Sequence, residues 1–435
     1  MYISQCLIVK NEEENIGYCL SHLKEIVDEQ IVVDTGSTDK TVETAKEMGA
    51  KVFYFEWISD FSAARNYALS KAKGDWIIFL DADEYFTEES VPYIKPAIVE
   101  CSKHKELDAV MCELINKDKN NNLISIAKNI SPRIYKKNKS MKYINKIHEI
   151  LINEKRPEYK FAPVVLECSK QIKIIHTGYD EEVMYKKDKS EKYINMLKKE
   201  LEKNPEDSHN NLYLSISYYM NGEYENSLEY ARKSLKYMDK KTEREYYPNI
   251  YSTIMYAMLS LVKPYDEIKE IFDQAAERYP EYPDYYKAIG VANLRDRNID
   301  AAIFYFEKCI NFCKNYKGNA ESLALGTINE TYNHLLNAYI LANNKPKIVE
   351  IAVALLNAEK YDYENLIILI KTFLTSEKEE NIINFLSKLY DYSTFKDKIY
   401  LTKASDAAGS DILALYYKNL LTNEELNTFQ ESDLI

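Results

Sequence analysis

A chain of 435 residues, 46% hydrophobic and 29% charged, has material for two hydrophobic cores and is too apolar for extended disorder, so two domains are expected. The 69 Asp plus Glu exceed the 57 Lys plus Arg, for a formal net charge of −12, which argues against a general nucleic-acid binder. Apolar runs fall far short of the ~20 residues of a membrane helix. The N-terminus has no basic segment leading into an apolar one, so a cytoplasmic protein with no signal peptide and no membrane span is expected.

In chain order, residues 2–9 read as a strand, 14–26 as a helix and Ile31–Asp34 as a second strand. Asp34 to Asp39 then form a turn in which Gly36 supplies backbone freedom and Ser37 or Thr38 is available to cap the next helix. Lys51–Tyr54 is a third strand, 61–72 a helix, and Trp76–Leu80 a buried strand ending in Asp81-Ala82-Asp83. Thr87 can cap a helix running to Cys101. Short strands follow at Ala109–Ile115, Leu123–Ile126 and Ile172–His176, with a polar turn at Asn116–Asn122. Alternating strands and helices predict an α/β domain with a largely parallel sheet. Its ligands should bind beyond the carboxyl ends of the strands, where Asp34, Asp81 and Asp83 lie.

After about Asp180 only helical patterns remain, placing a boundary between an α/β domain, 1–185, and an all-α domain, 186–435. Tyr286, Ile289, Gly290, Ala302 and Phe306 fall at the bulky, small and aromatic positions of a helical hairpin. A second hairpin carries Gly222 and Tyr224 in its turn and Ala231 beyond. A third, weaker one contains Tyr332, Leu335, Tyr339 and Ala352. These spacings resemble the tetratricopeptide repeat of about 34 residues, although Ser227, Ser234 and Cys309 occupy positions where it prefers other small residues. From Tyr361 the helical periodicity continues without a convincing repeat. The seven cysteines are scattered without C-x-x-C spacing, so neither a disulfide framework nor a zinc cluster is indicated. Cys309 and Cys313, one turn apart, read as a packed helix face.

Breaking a sugar–phosphate bond leaves a diphosphate whose charge a divalent cation or basic groups must neutralise, and carboxylates are needed to hold the cation. Asp81-Ala82-Asp83 offers two carboxylates after a hydrophobic strand, one for ribose or sugar and one for Mg²⁺ or Mn²⁺, which prefer oxygen ligands. A bare Asp-x-Asp is a weak signal, but three further motifs accompany it: Cys6 to Glu13 (CLIVKNEE), Ile31 to Thr41 (IVVDTGSTDKT) and Asp60 to Asn66 (DFSAARN). Together, in this order and across residues 3–180, they resemble the family 2 glycosyltransferases of the GT-A fold.

The resemblance implies an inverting, metal-dependent transfer from a UDP-sugar. Val9, Asn11, Glu12, Asp34, Ser37, Asp39, Arg65, Asp81, Ala82 and Arg133 would serve the nucleotide sugar, with Asp34 on uracil or ribose, and Arg133 could contact the acceptor instead. Asp83, Asp81 and His176 would serve the metal. Glu149 is the first candidate for the base that deprotonates the acceptor, and His148 the second, as base or metal ligand. An N-terminal domain of this family fused to helical repeats resembles bacterial enzymes that glycosylate peptides or proteins, such as bacteriocin S-glycosyltransferases and flagellin glycosyltransferases. The expected acceptor is therefore a peptide or protein side chain, Ser/Thr or Cys, docked on the repeats, which could equally form a homodimer interface. A saccharide or lipid-linked glycan acceptor, or an inactive transferase-like scaffold, are the alternatives. If the repeats only dock the acceptor, a chain cut after about residue 205 should still hydrolyse the donor.

Overall fold

In the computed structural model the described residues are 1–117, 123–127, 132–157, 162–177, 183–239, 246–318 and 320–431. Of the turn predicted at Asn116–Asn122, Asn116 and Lys117 instead end a strand, Glu113–Lys117, and 118–122 lie outside the described residues, as does the point near Asp180 where the strand pattern stops.

The α/β part is built on a seven-stranded sheet. Its strands are β1 (Ile3–Val9), β2 (Glu29–Asp34), β3 (Lys51–Tyr54), β4 (Trp76–Phe79), β6 (Ala109–Met111), β9 (Ile134–Lys136) and β12 (Val165–Glu167), in the order β12-β6-β9-β4-β1-β2-β3. The pairs β4-β1, β1-β2 and β2-β3 are parallel, and β9 runs antiparallel between β4 and β6. The strands read as continuous apolar runs because both faces are covered. Leu7, Val9, Val32, Trp76 and Ile78 face a core completed by α1 (Ile16–His22), α2 (Thr41–Glu47) and α4 (Val91–Lys103). The alternate residues Cys6, Ile31, Val33, Ile77 and Phe79 face α3 (Phe61–Lys71) and the hairpin of β10 (Met141–Ile144) and β11 (Ile150–Asn153). A second sheet, ordered β5-β13-β7-β8, contains β5 (Glu84–Phe86), β7 (Glu113–Lys117), β8 (Leu123–Ala127) and β13 (Lys173–His176).

Several expectations shift locally. The strand predicted at Ala109–Ile115 divides at Cys112 between the two sheets. The fourth helix starts at Val91 rather than after Thr87, whose carbonyl instead accepts from the Ser90 and Val91 amides. Ser37 and Thr38 do not cap the second helix, which begins at Thr41. Asp39 accepts the Thr41 amide (3.0 Å), while Ser37 and Thr38 bond to Asn11.

From Val183 onward the described residues form helices: α5 (Val183–Lys203), α6 (Ser208–Met220), α7 (Tyr224–Tyr237), α8 (Tyr247–Ser260), α9 (Tyr265–Arg278), α10 (Pro283–Arg295), α11 (Ile299–Asn315), α12 (Leu323–Gly326), α13 (Ile328–Leu341), α14 (Lys345–Ala358), α15 (Tyr363–Leu374), α16 (Glu379–Leu386), α17 (Phe395–Ala407), α18 (Asp411–Lys418) and α19 (Asn423–Glu431). The three recognised hairpins are α6/α7, α10/α11 and α13/α14, and a fourth, α8/α9, lies between the first two. No described helix is long and apolar enough to cross a membrane. Compactness divides the chain differently from element type: Met1–Val262 with Lys317–Gly326 form one unit, and Lys263–Tyr316 with Thr327–Ile435 the other. The first helices therefore belong to the same body as the sheet. In the second unit, Cys309 and Cys313 are buried on α11, and Gly290 of α10 lies against the Phe306 ring of α11.

Candidate active site

The parallel register aligns Val9 with Asp34 and Cys6 with Phe79, so the carboxyl ends of β1, β2 and β4 open on one edge. There the chain makes two interlocked turns. The buried Asp34 carboxylate accepts from the Gly36 and Ser37 amides, both at 3.1 Å, and Gly36 takes φ 107°, which only glycine adopts freely. Val9 closes the turn, its carbonyl accepting the Thr35 amide and hydroxyl. Asn11, at φ 58°, donates its amide to Ser37 Oγ (3.0 Å) and accepts from Thr38 through Oδ1 (2.8 Å). Glu12 donates its amide to Thr41 Oγ1 (2.7 Å), and Asp39 accepts from the Glu13 amide. Burial raises the Glu12 carboxyl above its ordinary value, with the charges of Asp83, Asp81 and Asp39 adding to the rise and a bond from Asn15 opposing it.

The Asp81–Asp83 turn is cross-braced by two arginines. Arg65, on α3, is buried under the rings of Phe79 and Tyr143 (4.7 and 5.5 Å to the centroids). Its Nε contacts Glu149 Oε1 at 2.5 Å and its Nη2 contacts Asp81 Oδ1 at 2.9 Å. Arg133, just before β9, accepts the Phe79 amide through its carbonyl, grips Glu84 with Nε and Nη2, and approaches Asp81 Oδ2 at 3.7 Å. Burial would push the Asp81 carboxyl up, but Arg65 and Arg133 outweigh it and hold the group well below the usual carboxylate range. About a third of the Asp81 side chain (36%) remains exposed, so it can still meet a ligand.

Asp83 has a different partner. His176, ending β13, is aligned with Glu84 of β5 and Asn116 of β7. Its Nε2 lies 3.2 Å from Asp83 Oδ2 and its Nδ1 lies 2.8 Å from Asn116 Oδ1. Burial lowers the imidazole pKa, yet the bond to Asp83 and the charges of Asp83, Glu84 and Asp81 carry it above its ordinary value. Among the described residues no group of three or more His, Cys, Asp or Glu is placed to hold a cation. Asp83 offers a carboxylate oxygen of the kind Mg²⁺ uses together with substrate phosphates, and His176 could join it only after giving up the proton that its bond to Asp83 favours.

The structure thus brings Asp81, Asp83, His176, Arg65, Arg133 and Glu149 together through shared contacts, and links Val9, Asn11, Ser37 and Asp39 around the Asp34 turn. Ala82 is buried within the acidic turn. Both arginines are engaged by carboxylates, so their described role is to hold the acidic groups in place. Asp34 likewise has a first task in shaping its turn. His148 faces elsewhere: its ring stacks on Tyr213 of α6 at 3.7 Å. Glu84 and Asn116 were not foreseen. Glu84 stands in the Asp81–Glu84 motif itself, whereas Asn116 is a polar strand end that only the pairing with β13 brings to the site.

The model of the glycosyl transferase family 2 matches residues 4–154. A TPR repeat-containing protein of Synechococcus elongatus is 54% identical over 82 residues, 19% of this chain and 20% of that protein. The SPbeta prophage-derived glycosyltransferase SunS of Bacillus subtilis is 26% identical over 243 residues, 55% of each chain. An uncharacterized glycosyltransferase of Rickettsia typhi is 42% identical over 87 residues, 20% of this chain and 30% of that protein. These alignments span between 20% and 55% of the relatives' lengths. The sheet order and the acidic turn after β4 agree with the family match: the α/β part of this chain is of GT-A type and carries, over residues 4–154, the match to glycosyl transferase family 2.

Proposed function

We propose that the protein transfers a sugar from a UDP-sugar to a peptide or protein side chain, with inversion at the anomeric carbon. The observation that carries this reading is the acidic turn after β4, in which Asp83 pairs with His176 while Asp81 is braced by two arginines. Asp83 and His176 would hold Mg²⁺ or Mn²⁺, which when bound supplies positive charge against the diphosphate. Asp81 and the loop around Asn11, Glu12 and Asp34 would orient ribose and uracil, Asp34 through the lone pairs its turn leaves over. Arg65 fixes one oxygen of Glu149, leaving the other to accept the acceptor's proton. The acceptor atom forms its bond to the anomeric carbon as the sugar–phosphate bond breaks, and UDP leaves with the electron pair.

The helical hairpins favour a polypeptide acceptor because stacked repeats present extended grooves. Dimerisation through them and a cytoplasmic site of action belong to the same proposal.

Calorimetric titration with UDP and GDP, each with and without Mn²⁺, tests the donor half. UDP should bind in a Mn²⁺-dependent manner. Asp83→Ala should weaken that binding at least tenfold and abolish turnover while the protein stays folded. Nucleotide binding that ignores both Mn²⁺ and this substitution would remove the metal assignment, and no nucleotide binding at all would favour a scaffold.

A further inference from the structure

Residues Asn145–Glu149 are the five-residue loop of the β10–β11 hairpin, and they carry Glu149. Two of the five, Asn145 (φ 67°) and His148 (φ 51°), sit in the left-handed region. Non-glycine residues hold that conformation only when their surroundings over-determine it. The surroundings form two walls.

The first is α3. The Phe61 amide donates to the Lys146 carbonyl (2.9 Å), Ser62 Oγ donates to the Asn145 carbonyl, and Arg65 reaches Glu149. Asn66 exchanges bonds with the Tyr143 backbone in both directions (2.8 and 2.9 Å), fixing the strand that feeds the loop. The second wall is helical. Lys146 Nζ bonds Glu200 of α5 at 2.8 Å. Ile147 is buried among Ile194, Leu197, Leu214 and Tyr218 of α5 and α6. The His148 ring lies on the Tyr213 ring, with centroids 3.7 Å apart and planes 18° apart.

The α3 wall holds mainly backbone on the near side of the loop. Beside Glu149, the side chain at the left-handed position is held by Tyr213. If His148 relaxed to negative φ, the adjoining peptide would turn and move the Glu149 carboxylate relative to Arg65.

We propose that Tyr213, and with it the α5/α6 pair, is a positioning element for the transfer reaction: it holds His148 in the left-handed conformation that aims the Glu149 carboxylate. This rests on the reading of Glu149 as the base. It gives the first helices a task in the chemical step, apart from any docking of acceptor. Asp83 lies in the turn after β4 and His176 on β13, neither of them part of the 145–149 loop, so donor affinity should be insensitive to Tyr213.

The test uses the full chain with Tyr213→Ala, Tyr213→Phe and Glu149→Gln. Three quantities are measured: UDP affinity with Mn²⁺, kcat for hydrolysis of whichever of UDP-glucose, UDP-galactose and UDP-N-acetylglucosamine turns over fastest, and amide hydrogen exchange. Tyr213→Ala should lower kcat at least tenfold with UDP affinity within twofold, and speed exchange at 145–149 while amides of 29–34 stay protected. Tyr213→Phe keeps the ring and should restore kcat to within threefold. Unchanged kcat and loop exchange in Tyr213→Ala would overturn the proposal. So would exchange that accelerates equally across 29–34, since Tyr213 would then serve only general stability. Should Tyr213→Ala fail to fold, Tyr213→Leu is judged by the same readouts. The two readings fail separately: turnover persisting in Glu149→Gln removes the base assignment, whereas an inactive Glu149→Gln beside a normal Tyr213→Ala removes only the positioning role.

Discussion

Burial and the neighbouring His209 push the His148 imidazole down to about 3, against about 6.5 for an unfolded chain. Between those values the unfolded chain binds a proton that the folded one refuses, so stability should fall as pH drops below about 6.5. The limit is about 1.4 kcal/mol per pH unit, reduced because the ring is only half-buried. His148→Phe keeps an aromatic ring on Tyr213 and removes the titration. Urea midpoints at pH 7.5 and pH 5 should therefore lie closer together in this variant than in the natural protein. An identical gap in both would show that the imidazole is protonated freely in the folded state. An imidazole held that far below its ordinary value is a weak proton acceptor, and its neighbour Glu149 is the residue that shares Arg65 with Asp81.

At the scale of elements, the α10/α11 hairpin shows how the repeat's small positions work. A Cβ added at Gly290 would stand 2.7 Å from two ring carbons of Phe306, itself fully buried. Gly290→Ala gains helix propensity but must move a packed ring, so it should destabilise the second unit by about 1–3 kcal/mol. Calorimetric unfolding would show this as a lowered transition, and an unchanged or raised one would mean that the hairpin can open without cost. This contact was legible in the sequence because Gly290 and Phe306 stand at fixed repeat offsets. β1, β2 and β4 were legible too, as apolar runs buried on both faces. The α8/α9 hairpin was not, since α8 is buried almost all round, from Tyr247 to Met258, and shows little amphipathic rhythm. β9 and β12, three residues each, are too short for any pattern. The pairs Arg133–Glu84 and His176–Asn116 depend on strands meeting from 49 and 60 residues apart, which local spacing cannot reveal. The acidic turn could be found because its residues are contiguous; Arg65, Arg133 and His176 were found with it, but not the Glu84 and Asn116 partners that two of them take.

For the whole molecule, the boundary of element type near 183 and the boundary of compactness at 262 have different meanings. If the helices only docked the acceptor, a chain ending near residue 205 would keep donor hydrolysis. The packing of Leu214, Tyr218 and Tyr213 on Ile147 and His148 implies the opposite. A 1–205 fragment should lose most of its turnover, measured as release of UDP, and a 1–262 fragment should keep more of it. Equal activity in the two would show that α6 is dispensable to the α/β part.

The loop closed from both sides also bears on how such a protein can change over time. Genetic exchange that joined a foreign helical array directly behind the last strand would separate Glu149 from its second wall, and the hybrid would begin life impaired. Exchange beyond Val262 leaves that wall intact. Descendants with new arrays should therefore retain the first hairpin as heirloom sequence, and anyone assembling chimaeric transferases from this chain should move residues 1–262 together with Lys317–Gly326, which belong to the same compact unit.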